Sequence, residues 1–84
     1  MAKKSDDDLR PFDTPELGLA AYLQASGIHP SRVDRANPSR AVFHFNLTDE
    51  QFELISKWFD GTGLIPAASF HYAYNAIKRM AFED

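Results

Sequence analysis

Between Arg40 and Gly61 the spacing of apolar positions changes once, from every second residue to every third or fourth. In RAVFHFNL, Ala41, Phe43, Phe45 and Leu47 alternate with Arg40, Val42, His44 and Asn46. Side chains on a strand alternate between its faces, so this spacing predicts a strand with one buried and one wet face. Thr48 follows with a hydroxyl suited to the orphan amides of a helix start, and Gln51 stands where it can reach back as the other half of a capping box. Asp49 and Glu50 place negative charge at the positive end of the helix dipole. Phe52, Ile55 and Phe59 then recur at helical spacing beside Leu54 and Trp58, and Gly61 supplies a left-handed terminator. A helix is expected from Asp49 to Asp60, with Phe52 and Phe59 in the core beside Phe43 and Phe45.

The same reading extends to both ends. Residues 1–11 are polar and charged with almost nothing to bury and read as a flexible tail, leaving one compact domain over 12–84. Thr14, Pro15 and Glu16 predict a helix start with proline in the first helical position, where its missing N–H costs nothing. That helix runs through LGLAAYLQASG to Gly27 and is apolar almost all round, which marks it as the central one. Ile28 to Arg35 reads as a weak strand that Pro30 confines to a sheet edge or delays. Asn37, Pro38 and Ser39 supply the turn, and Arg40 to Asn46 returns antiparallel to close a hairpin.

After Gly61, Leu64 and Ile65 are expected to tuck inward before Pro66 opens the last helix. Phe70, Ala73, Tyr74, Ile77, Met80 and Ala81 form its apolar stripe, and Ile77 joins the expected core. His71, Asn75, Lys78 and Arg79 take the opposite side. The element order is helix, β-hairpin, helix, helix. An isolated hairpin is marginal, so this α+β fold must pack the hairpin on the helices.

Composition narrows the functions. Eighty-four residues support one domain, and a chain of this size buries only about 60 to 65% of the surface its unfolded form exposes. Eleven aromatic residues, seven Phe, three Tyr and one Trp, make up for that. There is no cysteine, hence no disulfide frame or thiolate metal site. The N-terminal MAKKSDDD offers no apolar signal segment, and no run approaches the roughly 18 to 20 apolar residues of a membrane span. A cytoplasmic protein without a membrane partner is the expectation. A net charge of −3 opposes general affinity for polyanions.

No motif carries catalysis. His29, His44 and His71 lack metal-ligand spacing, the carboxylates gather at helix ends where capping explains them, and DGTGLIP lacks the Lys-Ser/Thr of a phosphate loop. No catalytic, cofactor-binding or metal residue is nominated, and the chain is not expected to be an enzyme. Two polar constellations remain. Arg32, Arg35, Arg40 and His44 decorate the hairpin, and His71, Asn75, Lys78 and Arg79 line the final helix. Arginine beside aromatic side chains suits phosphates or an acidic protein surface. The plainer reading is that these charges protect a sheet edge and solvate a helix.

FDTPELGLAAYLQASG, the Phe43-His44-Phe45 strand, the capped helix ending in WFDG and the aromatic helix AASFHYAYNAIKRM together resemble a family of small domains of unknown function common in phage and prophage genomes. The resemblance covers residues 12 to 80, and since that family carries no assigned activity it implies no functional residue. The leading expectation is a non-enzymatic module that binds a protein partner through its hairpin and last helix. The alternative is a nucleic-acid-binding accessory protein, and a homodimer through an open hairpin edge is a further expected state. A protein binder should expose an apolar patch, whereas a nucleic-acid binder should gather its cations on one face.

Overall fold

In a computed structural model the chain is described over residues 9–37 and 39–82. Six elements follow one another: β1 (Arg10–Thr14), α1 (Leu17–Ala25), β2 (Arg32–Asp34), β3 (Val42–Leu47), α2 (Asp49–Asp60) and α3 (Ala67–Phe82). The three strands form one antiparallel sheet in the order β1-β3-β2, so the α+β class and the β2–β3 hairpin are as expected. The hairpin register sets Val33 opposite Phe43, with Arg32 opposite His44 and Asp34 opposite Val42. Pro30 delays β2 to a three-residue edge strand.

The third strand corrects the reading of the N-terminal segment. Arg10 and Pro11, assigned to the tail, open β1, which pairs with β3 from Arg10 opposite Leu47 to Thr14 opposite Phe43. RPFDT has a single large apolar side chain and no local alternation to betray a strand; a ready-made partner edge supplies the stability. Residues 1–8 of the expected tail lie outside the described residues. β3 is therefore flanked on both sides, and the open edges belong to β1, where Pro11 has no N–H to offer, and to the short β2. The expected helix start also moves. Thr14 is the last residue of β1, its Oγ1 accepts the Glu16 amide at 3.1 Å, and α1 begins only at Leu17, after Pro15. Its end follows the expected chemistry: Gly27 sits at φ 94°, and the Gly27 and Ile28 amides reach the Gln24 and Leu23 carbonyls, each at 3.0 Å.

Ala41, Phe43, Phe45 and Leu47 all point inward and are buried. They meet α1, in which Leu19 to Leu23 are buried without a break, and Ala73, Ile77 and Ala81 of α3. α1 packs closely against α3, an approach that the small Ala20, Ala21, Ala73 and Ala81 side chains permit. Gly18 serves the neighbouring helix instead: a Cβ there would stand 3.1 Å from the Trp58 ring of α2.

α2 carries both halves of the expected capping box, the Gln51 amide on Thr48 Oγ1 at 3.2 Å and the Thr48 amide on Gln51 Oε1 at 2.9 Å. Gly61 at φ 81° ends it, and the Thr62 and Gly63 amides converge on the Lys57 carbonyl. Yet none of its residues is fully buried. Phe52 is only half-buried, against Phe12 edge-on at 6.1 Å and beneath the Arg10 guanidinium at 4.5 Å. Arg10 also reaches Asp49 at 2.9 Å, tying the start of α2 to β1.

Two expected core residues lie outside. Phe59 is 67% exposed because Trp58, one position round the helix, takes the place between Tyr22 at 5.5 Å and Phe70 at 6.4 Å. Leu64 is 90% exposed. Gly63 lies directly on the Tyr22 ring, and in the connection beyond it Ile65 turns inward and Leu64 outward.

Candidate functional site

By register the sheet face away from the core presents Pro11 and Asp13 from β1, Val42, His44 and Asn46 from β3, and Arg32 and Asp34 from β2. Its centre is a polar row. His44 Nδ1 lies 2.7 Å from Asp13 Oδ1, and its Nε2 lies 3.2 Å from an Nη of Arg32. The Ser31 amide and hydroxyl occupy the His44 carbonyl at 2.7 and 3.0 Å, on the β2 side. Backbone groups of a strand residue face one neighbour, so His44 and Asp13 form a non-hydrogen-bonded pair across β3 and β1, the kind whose side chains come closest. Sequence reasoning missed Asp13 because its role depends on the register of a strand that leaves no local pattern.

The nominated interaction residues separate. Arg32 and His44 belong to this row. Arg35 instead donates to the Met80 carbonyl at 3.4 Å, which joins the β2–β3 turn to the last turns of α3. Arg40 is exposed at the end of that turn, where its amide reaches the Asn37 carbonyl at 3.1 Å. Lys78 lies over the Tyr74 ring at 6.0 Å, and Arg79 is exposed beside it. His71 and Asn75 contact one another at 3.2 Å along the outer side of α3. The cations therefore divide between the open sheet face and the end of the molecule formed by the turn and α3. Among the described residues no group of three or more His, Asp or Glu is placed to hold a metal ion.

The apolar surface lies elsewhere. Tyr22, Trp58, Phe70 and Tyr74 form a continuous row with centroid spacings of 5.5, 6.4 and 6.0 Å. Trp58, Phe70 and Tyr74 are half-buried. Phe59 and Leu64 stand exposed at the same junction of α2 with the connection to α3; Tyr72 and Phe82 are exposed on α3. The signal that could have found Phe59 was the row Leu54, Ile55 and Trp58, which puts Phe59 at the rim of the apolar stripe. Just beyond, Asp60 Oδ1 accepts the Thr62 hydroxyl at 2.6 Å and its amide at 3.0 Å. These bonds, with the Lys57 charge, hold the Asp60 carboxyl below its ordinary pKa.

These features define a small α+β domain with one polar sheet face that no helix covers among the described residues, and an apolar junction between its last two helices. Residues 10–83 match the model of the family described as Domain of unknown function (DUF5659), and the chain belongs to that family. No similar curated protein and no similar solved structure was found. Among the described residues no helix is long and apolar enough to cross a membrane.

Proposed function

We propose that this domain is a non-enzymatic module of phage or prophage origin that works in the cytoplasm by binding a protein partner at the α2–α3 junction. The observation that carries this reading is the pair Phe59 and Leu64, both exposed within the one short segment that follows the half-buried Trp58. Single exposed apolar residues are ordinary, but two large ones within one short segment form a surface whose cover a partner would provide. A few well-packed residues near the centre of an interface supply most of its affinity.

The nucleic-acid reading has less support. A single-strand reader stacks bases on exposed rings, and the open sheet face carries no phenyl, phenol or indole side chain. The cations are split between two surfaces, and the net charge is −3. We expect no binding of generic single- or double-stranded DNA at physiological salt by fluorescence anisotropy. Micromolar binding whose logarithm falls against log salt with a slope of roughly −3 to −4, as about four neutralised phosphates require, would replace the protein-binding reading.

A photoreactive phenylalanine analogue at position 64, and separately at position 46 on the sheet face, tests the site directly. In cells of the native host the position-64 protein should capture one defined partner, and Phe59→Ser should abolish that product. Capture from position 46 alone would move the interface to the sheet, and capture from neither would sink the proposal.

A further inference from the structure

Asp13, His44 and Arg32 stand opposite one another on three adjacent strands, with the imidazole in the middle. A guanidinium can only donate hydrogen bonds and an ionised carboxylate can only accept them. With Asp13 Oδ1 at 2.7 Å from Nδ1 and an Arg32 Nη at 3.2 Å from Nε2, both contacts are satisfied by one state of the ring. That state is the neutral imidazole with its proton on Nδ1 and its lone pair on Nε2.

We infer that this row is a proton-operated clamp on the Arg32 side chain. The neutral His44 ring holds the guanidinium across β3, and a second proton releases it. The added proton occupies the Nε2 lone pair, so the bond from Arg32 is lost and two cations face each other at the former bonding distance. The Asp13 contact persists and becomes an ion pair. Among the described strand residues the charged groups that share this face with the ring are Asp13 on β1 and Arg32 and Asp34 on β2; the other residues of the face are Pro11, Val42 and Asn46, and the helices lie across the sheet. Asp34 already accepts the Ala36 amide at 2.9 Å. The β2 backbone stays anchored, because the Ser31 amide and hydroxyl both hold the His44 carbonyl and neither bond involves the ring. The response is therefore confined to a side chain: with the ring doubly protonated the Arg32 guanidinium is released to solvent, and with the ring neutral one Nη of it is held. This surface is separate from Phe59 and Leu64, so it stands whether or not the α2–α3 junction binds a protein.

Nitrogen-15 NMR of the full chain through an acid titration tests the clamp. The neutral His44 ring should show an unprotonated Nε2 and a protonated Nδ1. The Arg32 guanidinium signals should be resolved by hindered rotation while the ring is neutral and should lose that resolution in step with the His44 ring shifts as the ring takes up its second proton. His44→Phe should leave them averaged at every pH, and if that variant does not fold the wild-type titration decides alone. A neutral ring protonated on Nε2, or Arg32 signals indifferent to the His44 titration, would overturn the inference.

Discussion

Helices α1 and α2 invert the usual relation between local signals and burial. α2 has a capping box, acidic residues in its first turn, a basic residue in its last and a left-handed glycine at its end, yet it contains no fully buried residue. α1 has no side-chain cap and no charge in its first or last turn, and five consecutive residues of it are buried. Local chemistry decides where a helix starts and stops. Burial depends on how many sides are covered, and α1 is enclosed by the sheet, α2 and α3 while α2 packs from one side.

The sharpest test of that contrast is a pair of truncations. Phe45→Ala, in the strand beneath the helices, should cost about 3 to 5 kcal/mol, a large part of the stability of so small a domain. Phe59→Ala, equally large and apolar but on the exposed side of α2, should fall within about 0.5 kcal/mol of wild type. Thermal or denaturant melts decide. Comparable losses at the two positions would mean that α2 is buried in solution and the contrast is false.

A second substitution acts on the seam between the helices. Gly63 abuts Tyr22 so closely that a Cβ there would stand 2.7 Å from the ring carbon bearing the hydroxyl, and Tyr22 is itself buried against Trp58. Gly63→Ala must push the 61–66 connection away from α1, which overpacking costs of about 1 to 3 kcal/mol describe. Tryptophan fluorescence should report the change as well, because Trp58 rests on the same ring. A variant with unchanged stability and emission would show that the connection is loosely held.

What could be read in advance follows the same division. The strand from Ala41 to Leu47 and the helix after Thr48 were legible because their period and caps are local, and the burial of all four inward strand residues came with them. β1 was not legible, since Phe12 alone gives no alternation and its partner Phe45 lies far along the chain. The Asp13–His44–Arg32 row was half legible: both basic members were nominated, but the carboxylate that orients the ring was hidden in that unread strand. Phe59 reads as inward from its helical spacing with Phe52 and Ile55, and Leu64 from its place beside Ile65 in the loop before Pro66. Competition with Trp58 and the close seat of Gly63 on Tyr22 are tertiary facts.

The cap of α2 offers a milder perturbation. Thr48→Ala removes the acceptor of the Gln51 amide and unpairs the box, and should cost about 0.5 to 2 kcal/mol without changing the fold. The denaturation midpoint should fall while the dependence on denaturant stays constant. Since the helix buries little, an effect near the upper limit would show that α2 depends on its cap more than on its packing, and no effect would mean that packing alone defines its start.

The smallest expected effect lies at the other end of α2 and depends on pH. Asp60 has a pKa lowered chiefly by the Thr62 hydroxyl, then by the Thr62 amide and the Lys57 charge, so the folded protein binds this proton less readily than the unfolded chain. A depressed folded pKa contributes stability at pH values above the unfolded pKa, and that contribution is lost as pH falls through the folded one. Thr62→Val deletes the largest cause and keeps the amide. In that variant the Asp60 carboxyl should titrate at higher pH, read from its side-chain carbon resonance, and stability should fall less on acidification than in wild type. Because the carboxyl is exposed, solvent screens the interaction and the difference in stability at neutral pH should be slight. An Asp60 resonance that titrates identically in both proteins would show that the Thr62 hydroxyl does not hold the carboxylate in solution, and that Gly61 and the Lys57 carbonyl end the helix without it.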